Sequence, residues 1–302
     1  MPELPDIALY LHVLAPRIVN RRLISVRLAR PFLLRSVSPP LPAVEGRTIV
    51  GLQRLGKRIV FEAEGDLFLV CHLMIAGRFR WTPAGTRIPG KVGLLALDFE
   101  HGTLILTEAG TRKQASLYLV SGRTALAEHD PGGLEVLEAD LPAFQGVLRQ
   151  ANHTLKRALT DPRLFSGIGN AYSDEILHAA RLSPFKQTAS LSDEEARRLY
   201  DATRATLSGW MRRLQEETGD EFPEHVTAFR EGMAVHGRYG RPCPDCGAPV
   251  QRVVYAASEA NYCANCQTGG RLLADRALSR LLREDWPRTL EELERRRRGE
   301  PR

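Results

Sequence analysis

Cys243-Pro-Asp-Cys246 and Cys263-Ala-Asn-Cys266 leave the C-terminal part of this chain few ways to fold. Sixteen residues separate the pairs, and the intervening GAPVQRVVYAASEANY reads as a β-hairpin. Two C-x-x-C knuckles at that separation can set four thiolates tetrahedrally around one Zn²⁺. So small a module cannot bury enough apolar surface alone, so metal binding supplies its folding energy. All four ligands come from the protein, which leaves no open coordination position and makes the zinc structural. An iron–sulfur centre is the competing occupant. A ribbon used only for stability or protein contacts is the plainer reading of the same pattern. The fifth cysteine, Cys71, lies in an apolar run and reads as a buried thiol. Paired cysteines without an export signal indicate metal ligation in a reducing, cytoplasmic setting (nucleoid-associated in a bacterium) rather than disulfides.

The rest of the chain divides by periodicity. Leu4, Ile7, Leu11, Leu14 and Ile18 recur at helical spacing over residues 3–18. Short apolar or alternating runs follow: LISVRLA, RTIVGLQRL, KRIVFEA, DLFLVCHLMI, GRFRW, VGLLALDF, TLILTE and ASLYLV. Turn signals at 64–66, 101–102 and 121–122 separate them, which predicts an antiparallel sandwich or barrel. Helical signals then take over. Ser192-Asp193-Glu194-Glu195 is a capping box, and Leu199, Thr203, Leu207, Trp210 and Leu214 line one face behind it. The expected organisation is α+β and multidomain. A catalytic β-domain spans 1–130, a linker 131–150, a helical domain 151–235, the cysteine hairpin 236–270 and a helical extension with a basic tail 271–302.

A hydrophobic fraction of 43% supports a buried core and argues against wholesale disorder. No apolar run reaches the roughly 18–20 residues needed to cross a membrane. The net charge of +6 is dominated by arginine, whose fork matches phosphate oxygens. Charge alone does not single out nucleic acid as the partner.

Three further stretches bear on chemistry. In LFSGIGNAYSDEIL, Gly167 and Gly169 flank Ile168, and Asn170 begins a helix. A helix N-terminus offers free N–H groups to a phosphate, although a plain helix–helix turn gives the same letters. MPELPD places Pro2 and Glu3 at the start. Once Met1 is removed, a terminal proline is a secondary amine that can attack an aldehyde carbon, with Glu3 to shuttle protons. The plainer reading has Pro5 opening the first helix at N1. Lys57 begins a strand, where a lysine is usually solvated.

Together these pieces, in this order, resemble the formamidopyrimidine-DNA glycosylase/endonuclease VIII family of base-excision repair enzymes. MPELPD, the GK at 56–57, GIGNAYSDEIL, VHGRYGRPCPDCG and CANCQ carry the likeness. It implies an N-terminal helix with an antiparallel β-sandwich, a helix–two-turns–helix domain, and a four-cysteine zinc finger holding one structural Zn²⁺. Pro2 would attack C1′ of a damaged nucleotide in double-stranded DNA, and Glu3 would protonate the sugar. Schiff-base chemistry would then allow β- and δ-elimination by a monomer. Lys57, Lys156 and Asn170, with Gly167 and Gly169, would hold phosphates. The target nucleotide would be flipped from the stack.

Four departures modify the expectation. The hairpin carries Ser258 and Glu259 where the family has a phosphate-binding arginine, so Asn261, Arg252 or Arg271 would have to compensate. HLMIAG puts Met74 one position early and Ile75 near the usual wedge slot. TEAGTRKQASLY offers Arg112, Lys113 and Gln114 to the opposite strand. FPEHVTAFREGM is short where the family covers 8-oxoguanine, leaving His225, Thr227 and Arg230 to line a different base pocket. These argue against 8-oxoguanine as the main substrate. The residues after CANCQ predict an extra helix that packs on the finger or touches DNA. A non-excising damage-binding protein, and a zinc-ribbon protein with only general DNA affinity, are the alternative classes.

Overall fold

The structure, a computed structural model, describes residues 1–223, 226, 229–255, 258–274 and 287–298. His225 and Thr227 of the expected base pocket lie outside the described residues. The chain forms two compact units: Met1–Gly133 with Ser208–Ala228, and Leu134–Leu207 with Phe229–Arg302.

The first unit begins with helix α1, Leu4–Ile18. Glu3 is its N-cap, so Pro5 occupies the second helical position, where no N–H is needed. The Glu3 backbone N–H donates to Asp6 Oδ2 at 2.8 Å. Behind α1 come β1 (Arg21–Arg22), β2 (Ser25–Leu28), β3 (Thr48–Leu55), β4 (Arg58–Ala63), β5 (Leu67–His72), β6 (Gly77–Thr82), β7 (Gly93–Phe99), β8 (Gly102–Glu108) and β9 (Ser116–Ser121). They pair into two antiparallel sheets, ordered β1-β3-β4-β5-β9 and β2-β7-β8-β6. The choice between sandwich and barrel thus resolves to a sandwich.

Strand alternation explains the packing. Ile59, Phe61, Leu69, Cys71, Leu117 and Leu119 of one sheet meet Phe79, Leu95, Leu97, Leu104 and Leu106 of the other, with Ile7, Tyr10 and Leu14 of α1 in the same core. Full burial of each such side chain contributes about 1.5–3 kcal/mol. The opposite face of β4 and β5 is buried too, because Val60, Phe68 and Val70 pack with Leu126 of α2 (Arg123–Ala127). Two buried faces are why these strands read as continuous apolar runs rather than alternating ones. Phe222 joins this unit beside Tyr10, with ring centroids 6.1 Å apart.

The second unit contains α3 (Leu141–Arg149), α4 (Leu155–Thr160), α5 (Asn170–Ala179) and α6, Asp193–Thr218, whose residues from Ser208 onward group with the first unit. Helix α3 lies inside the expected linker. Asp140 caps it, accepting from the Ala143 N–H, and Phe144 buries against Phe165. The capping box at α6 forms in both directions: Glu195 N–H to Ser192 Oγ at 3.1 Å and Ser192 N–H to Glu195 Oε2 at 3.0 Å. Strands β10 (Gln251–Tyr255) and β11 (Ser258–Tyr262) make the expected hairpin, followed by α7, Ala264–Thr268. Past it, α8 (Leu290–Arg297) folds back: Leu290 and Leu272 share a core with Val253 and Tyr262 of the hairpin. The helix expected after CANCQ falls largely on residues 275–286, outside the described residues, while Leu272 and Leu290 on either side of them pack on the finger. The start of the expected basic tail, residues 294–297, is the last turn of α8, and residues 299–302 lie outside the described residues.

Candidate functional site

In the first unit the chain start is enclosed. Pro2 and Glu3 are buried, and Glu3 is only 2% exposed. Burial pushes the terminal amine, carried by Met1, below its ordinary value. Glu3 opposes that shift, Arg78 adds to it, Asp6 opposes it, and Lys57 adds to it. Those four side chains are thus electrostatic neighbours of the amine. Lys57 stands in the β3–β4 turn, made possible by Gly56 at φ +60°. Across β4 and β5, Arg58 pairs with His72. Burial, with Arg58 and Lys57 adding, pushes His72 down to about 4, so it is neutral at physiological pH.

The β5–β6 turn sorts the two wedge candidates. Met74 takes a left-handed conformation at φ +53°, and Ile75 at the tip is 60% exposed. Gly77 closes the turn with its N–H on Leu73 O at 2.9 Å, and a Cβ there would lie 2.2 Å from that oxygen. Arg78 braces the tip by donating to the carbonyls of Ile75 at 3.1 Å and Gly77 at 2.6 Å. Sequence reading passed over Arg78, whose only signal is a basic residue on a strand.

Glu108 was missed as well. Its buried carboxylate accepts the backbone N–H groups of Gln114 (2.9 and 3.0 Å) and Ala115 (3.2 Å). Lys113 folds back, donating Nζ to Glu108 O at 2.6 Å. Of the candidates in this loop, Arg112 is the exposed cation and Lys113 is engaged.

In the second unit Gly167 (φ +78°) turns the chain into α5, and Gly169 caps it without a side chain. The first turn of α5 therefore receives no side-chain acceptor from its cap. Asn170 sits in that turn, its Oδ1 buried and without a hydrogen-bond partner among the described residues. Below it, Lys156 donates to Asn170 O and to Asp174 Oδ1, each at 2.6 Å. Asp174 Oδ2 also meets His236 Nδ1 at 2.8 Å and Asn261 Nδ2 at 3.1 Å. Lys156 and Asn261, expected to hold phosphates directly, are thus buried struts of the same unit. The second Asn261 N–H goes to Glu259 Oε1 at 3.0 Å. Glu175 accepts three backbone N–H groups, from Ala234, Val235 and His236, at 2.7–2.9 Å. Burial still pushes its carboxyl up against those bonds. The acidic pair in SDEIL was the only hint of this junction. On the hairpin Arg252 is half-exposed, 4.8 Å over the Tyr239 ring and 3.6 Å from Glu259.

The four cysteine sulfurs cluster, all within 4.8 Å of one another, with Cys243–Cys266 at 3.9 Å and Cys246–Cys263 at 3.4 Å. Tetrahedral Zn–S bonds of ≈ 2.3 Å give an S···S edge of about 3.8 Å. The spacing suits one ion and is too tight for a multi-iron cluster between the sulfurs. Cys71 is buried apart, its thiol pushed up to about 12 by burial.

Comparison with known proteins gives a consistent result. The family model described as the formamidopyrimidine-DNA glycosylase N-terminal domain matches residues 1–117, and its H2TH-domain counterpart matches 133–219. A formamidopyrimidine-DNA glycosylase of Thermus thermophilus is 34% identical over 279 residues, spanning 89% of this chain and all of the relative. A formamidopyrimidine-DNA glycosylase-like protein of Mycobacterium tuberculosis is 42% identical over 151 residues, half of this chain and 94% of its own. A Lactococcus lactis formamidopyrimidine-DNA glycosylase, bound non-covalently to DNA with an abasic site, superposes with a TM-score of 0.77 at 26% identity. The match covers 88% of this chain and 99% of that one.

Proposed function

The chain belongs to the formamidopyrimidine-DNA glycosylase family of DNA-repair enzymes, and from that premise we propose that it is a bifunctional DNA glycosylase and abasic-site lyase whose nucleophile is Pro2. The observation that carries this reading is the enclosed chain start: Pro2 and Glu3 are buried, and Glu3, Asp6, Arg78 and Lys57 act on the amine of Met1, one residue ahead of Pro2. Removal of Met1 converts the Pro2 amide nitrogen into a secondary amine. Its lone pair attacks C1′ of the damaged nucleotide, and the C1′–base bond breaks with the pair leaving on the base. Glu3 takes the proton that the attacking amine sheds and passes it to the ring oxygen. The nitrogen lone pair then breaks the C1′–ring-oxygen bond, the sugar opens, and an iminium forms between Pro2 and C1′. Loss of a C2′ proton then expels the 3′-phosphate, and a second elimination expels the 5′-phosphate.

Lys57 is assigned to a phosphate next to the lesion, and the first turn of α5, with Gly167, Gly169 and Asn170, to another. Ile75 fills the gap left by the flipped nucleotide, and Arg112 faces the opposite strand. Arg252 is the remaining exposed cation on the hairpin. Lys156 and Asn261 support the α5 turn and the hairpin from within the second unit. The short 222–233 segment argues for a base other than 8-oxoguanine as the main substrate.

One Zn²⁺ fits Cys243, Cys246, Cys263 and Cys266, and its bound contribution is folding energy for the hairpin. Among the described residues no helix is long and apolar enough to cross a membrane. The working unit is one chain on damaged duplex DNA, in the compartment that holds the DNA.

Borohydride trapping on a duplex with one abasic site, with mass spectrometry of the N-terminus, tests the reading. The expected adduct maps to Pro2 and is lost in Pro2→Gly. No adduct from protein whose Met1 is verifiably gone would overturn the lyase and leave a damage-binding protein.

A further inference from the structure

Helix α5 carries different chemistry at its two ends. Asn170 lies in its first turn, and its last turn sets a histidine against the cysteine cluster. His178 Nε2 is 3.3 Å from Cys243 Sγ, and both residues are buried. The same nitrogen is 3.7 Å from Asp245 Oδ2, which is held by Arg181 at 2.7 Å. His178, Cys243, Asp245 and Cys266 therefore form a second group with ligand atoms within 4.8 Å, sharing two members with the thiolate quartet. His178 is either an alternative ligand or a donor to a ligand.

The chemistry separates these roles. Four thiolates complete a tetrahedral zinc shell, so no coordination position remains for a nitrogen. The filled shell leaves the centre doubly negative, and a metal-bound thiolate has no proton to give. Any hydrogen bond between this pair then runs from the imidazole to sulfur, which fixes the tautomer with its proton on Nε2. Asp245 is already engaged by Arg181.

We propose that His178 is a positioning residue of the metal centre: its Nε2–H donates to the Cys243 thiolate and fastens the finger to the C-terminal turn of α5. The bond offsets part of the centre's negative charge where Cys243 is buried from water. Arg181 holds Asp245 on the same side. With ten residues, α5 spans about 15 Å as one rigid rod between the metal and the Asn170 turn. The assignment rests on the fit of zinc to the cysteines and not on the reaction proposed above.

The test uses the full-length, zinc-loaded protein and follows zinc loss to a chelator with a colorimetric indicator. His178→Leu removes the N–H, and His178→Gln keeps an amide donor of similar reach. Outer-sphere partners are typically worth 10–100-fold in metal affinity, so His178→Leu is expected to release zinc roughly 10–100-fold faster. His178→Gln should recover part of that loss, and it carries the test if the leucine variant fails to fold. Release at the wild-type rate in a folded variant overturns the proposal. Cobalt substitution provides a second readout. Charge-transfer intensity for four thiolates is expected in wild type and variants alike. A wild-type spectrum with three thiolates and a nitrogen would make His178 a ligand and overturn the assignment.

Discussion

Lys156 and Asp174 hold each other out of water: Nζ lies 2.6 Å from Oδ1, with side chains 2% and 0% exposed. Asp174 also receives His236 and Asn261, so one carboxylate joins α4, α5, the segment before the finger, and the hairpin. Removing one partner of a buried ion pair strands the other charge. Asp174→Asn is therefore expected to cost about 3–5 kcal/mol in urea unfolding of the zinc-loaded protein. Adding Lys156→Met to that variant should recover much of the loss, because no buried charge then remains and the amide still accepts from its neighbours. Equal stability of wild type and Asp174→Asn would show that the pair is not what joins these elements.

The terminal amine gives a pH prediction. Burial lowers it, and Arg78 and Lys57 act in the same direction. Removal of Met1 moves the amine one residue along to Pro2, where the same four side chains remain its expected neighbours. Only the unprotonated amine attacks, so the rate of borohydride trapping should rise with pH through a midpoint set by these neighbours. Arg78→Gln removes a nearby positive charge and should move that midpoint upward. Glu3→Gln removes an opposing negative charge and should move it downward. Shifts of the opposite sign would separate these residues from the amine.

The pattern of the β-domain was legible because strand periodicity and turn residues are local signals. Each predicted run from LISVRLA to ASLYLV became a strand, and the Ser192 capping box formed as read. The cysteine hairpin was legible from spacing alone. Helix α3 was lost to a supposed linker because its apolar anchor, Phe144, finds its partners Phe165 and Tyr200 far along the chain. Lys156 and Asn261 looked like surface donors for the same reason. Nothing local to TLKRAL or EANYC announces that Asp174 lies between them. Charged residues buried by tertiary pairing leave no periodic trace.

The β5–β6 turn separates conformation from function. Met74 at φ +53° occupies a region that costs L-residues roughly 1–2 kcal/mol. Met74→Gly should therefore leave thermal stability unchanged or raised, glycine's own chain entropy offsetting part of the relief. Ile75, exposed at the tip, makes little contribution to folding. Ile75→Ala should leave the unfolding midpoint in place while weakening binding to a duplex with an abasic-site analogue. A stability loss in Ile75→Ala would mark it as a packing residue instead.

Glu108 fixes the Arg112 loop from beneath through two backbone N–H groups. In Glu108→Ala those groups lose their acceptor, and the loop's amide hydrogens should exchange faster with solvent. Discrimination among bases opposite the lesion should weaken along with it. Arg112→Ala should weaken discrimination without changing exchange. If the Glu108 variant left exchange unaltered, the carboxylate would not be the anchor.

The segment beyond the finger yields a prediction about the metal. Leu290 is 7% exposed and shares a core with Val253 and Tyr262, while Thr289 caps α8 and pairs with Arg271. The hairpin is too small to keep its apolar face dry alone, so α8 supplies part of the cover. Leu290→Ala should cost about 2–5 kcal/mol locally, as other buried leucine truncations do. Because finger folding and metal binding are linked, that loss should appear as faster zinc release to a chelator. Exposed Glu291, on the same helix but outside the core, is the control, and Glu291→Ala should leave zinc release unchanged. Equal release rates for both variants would show that α8 rests on the finger without stabilising it.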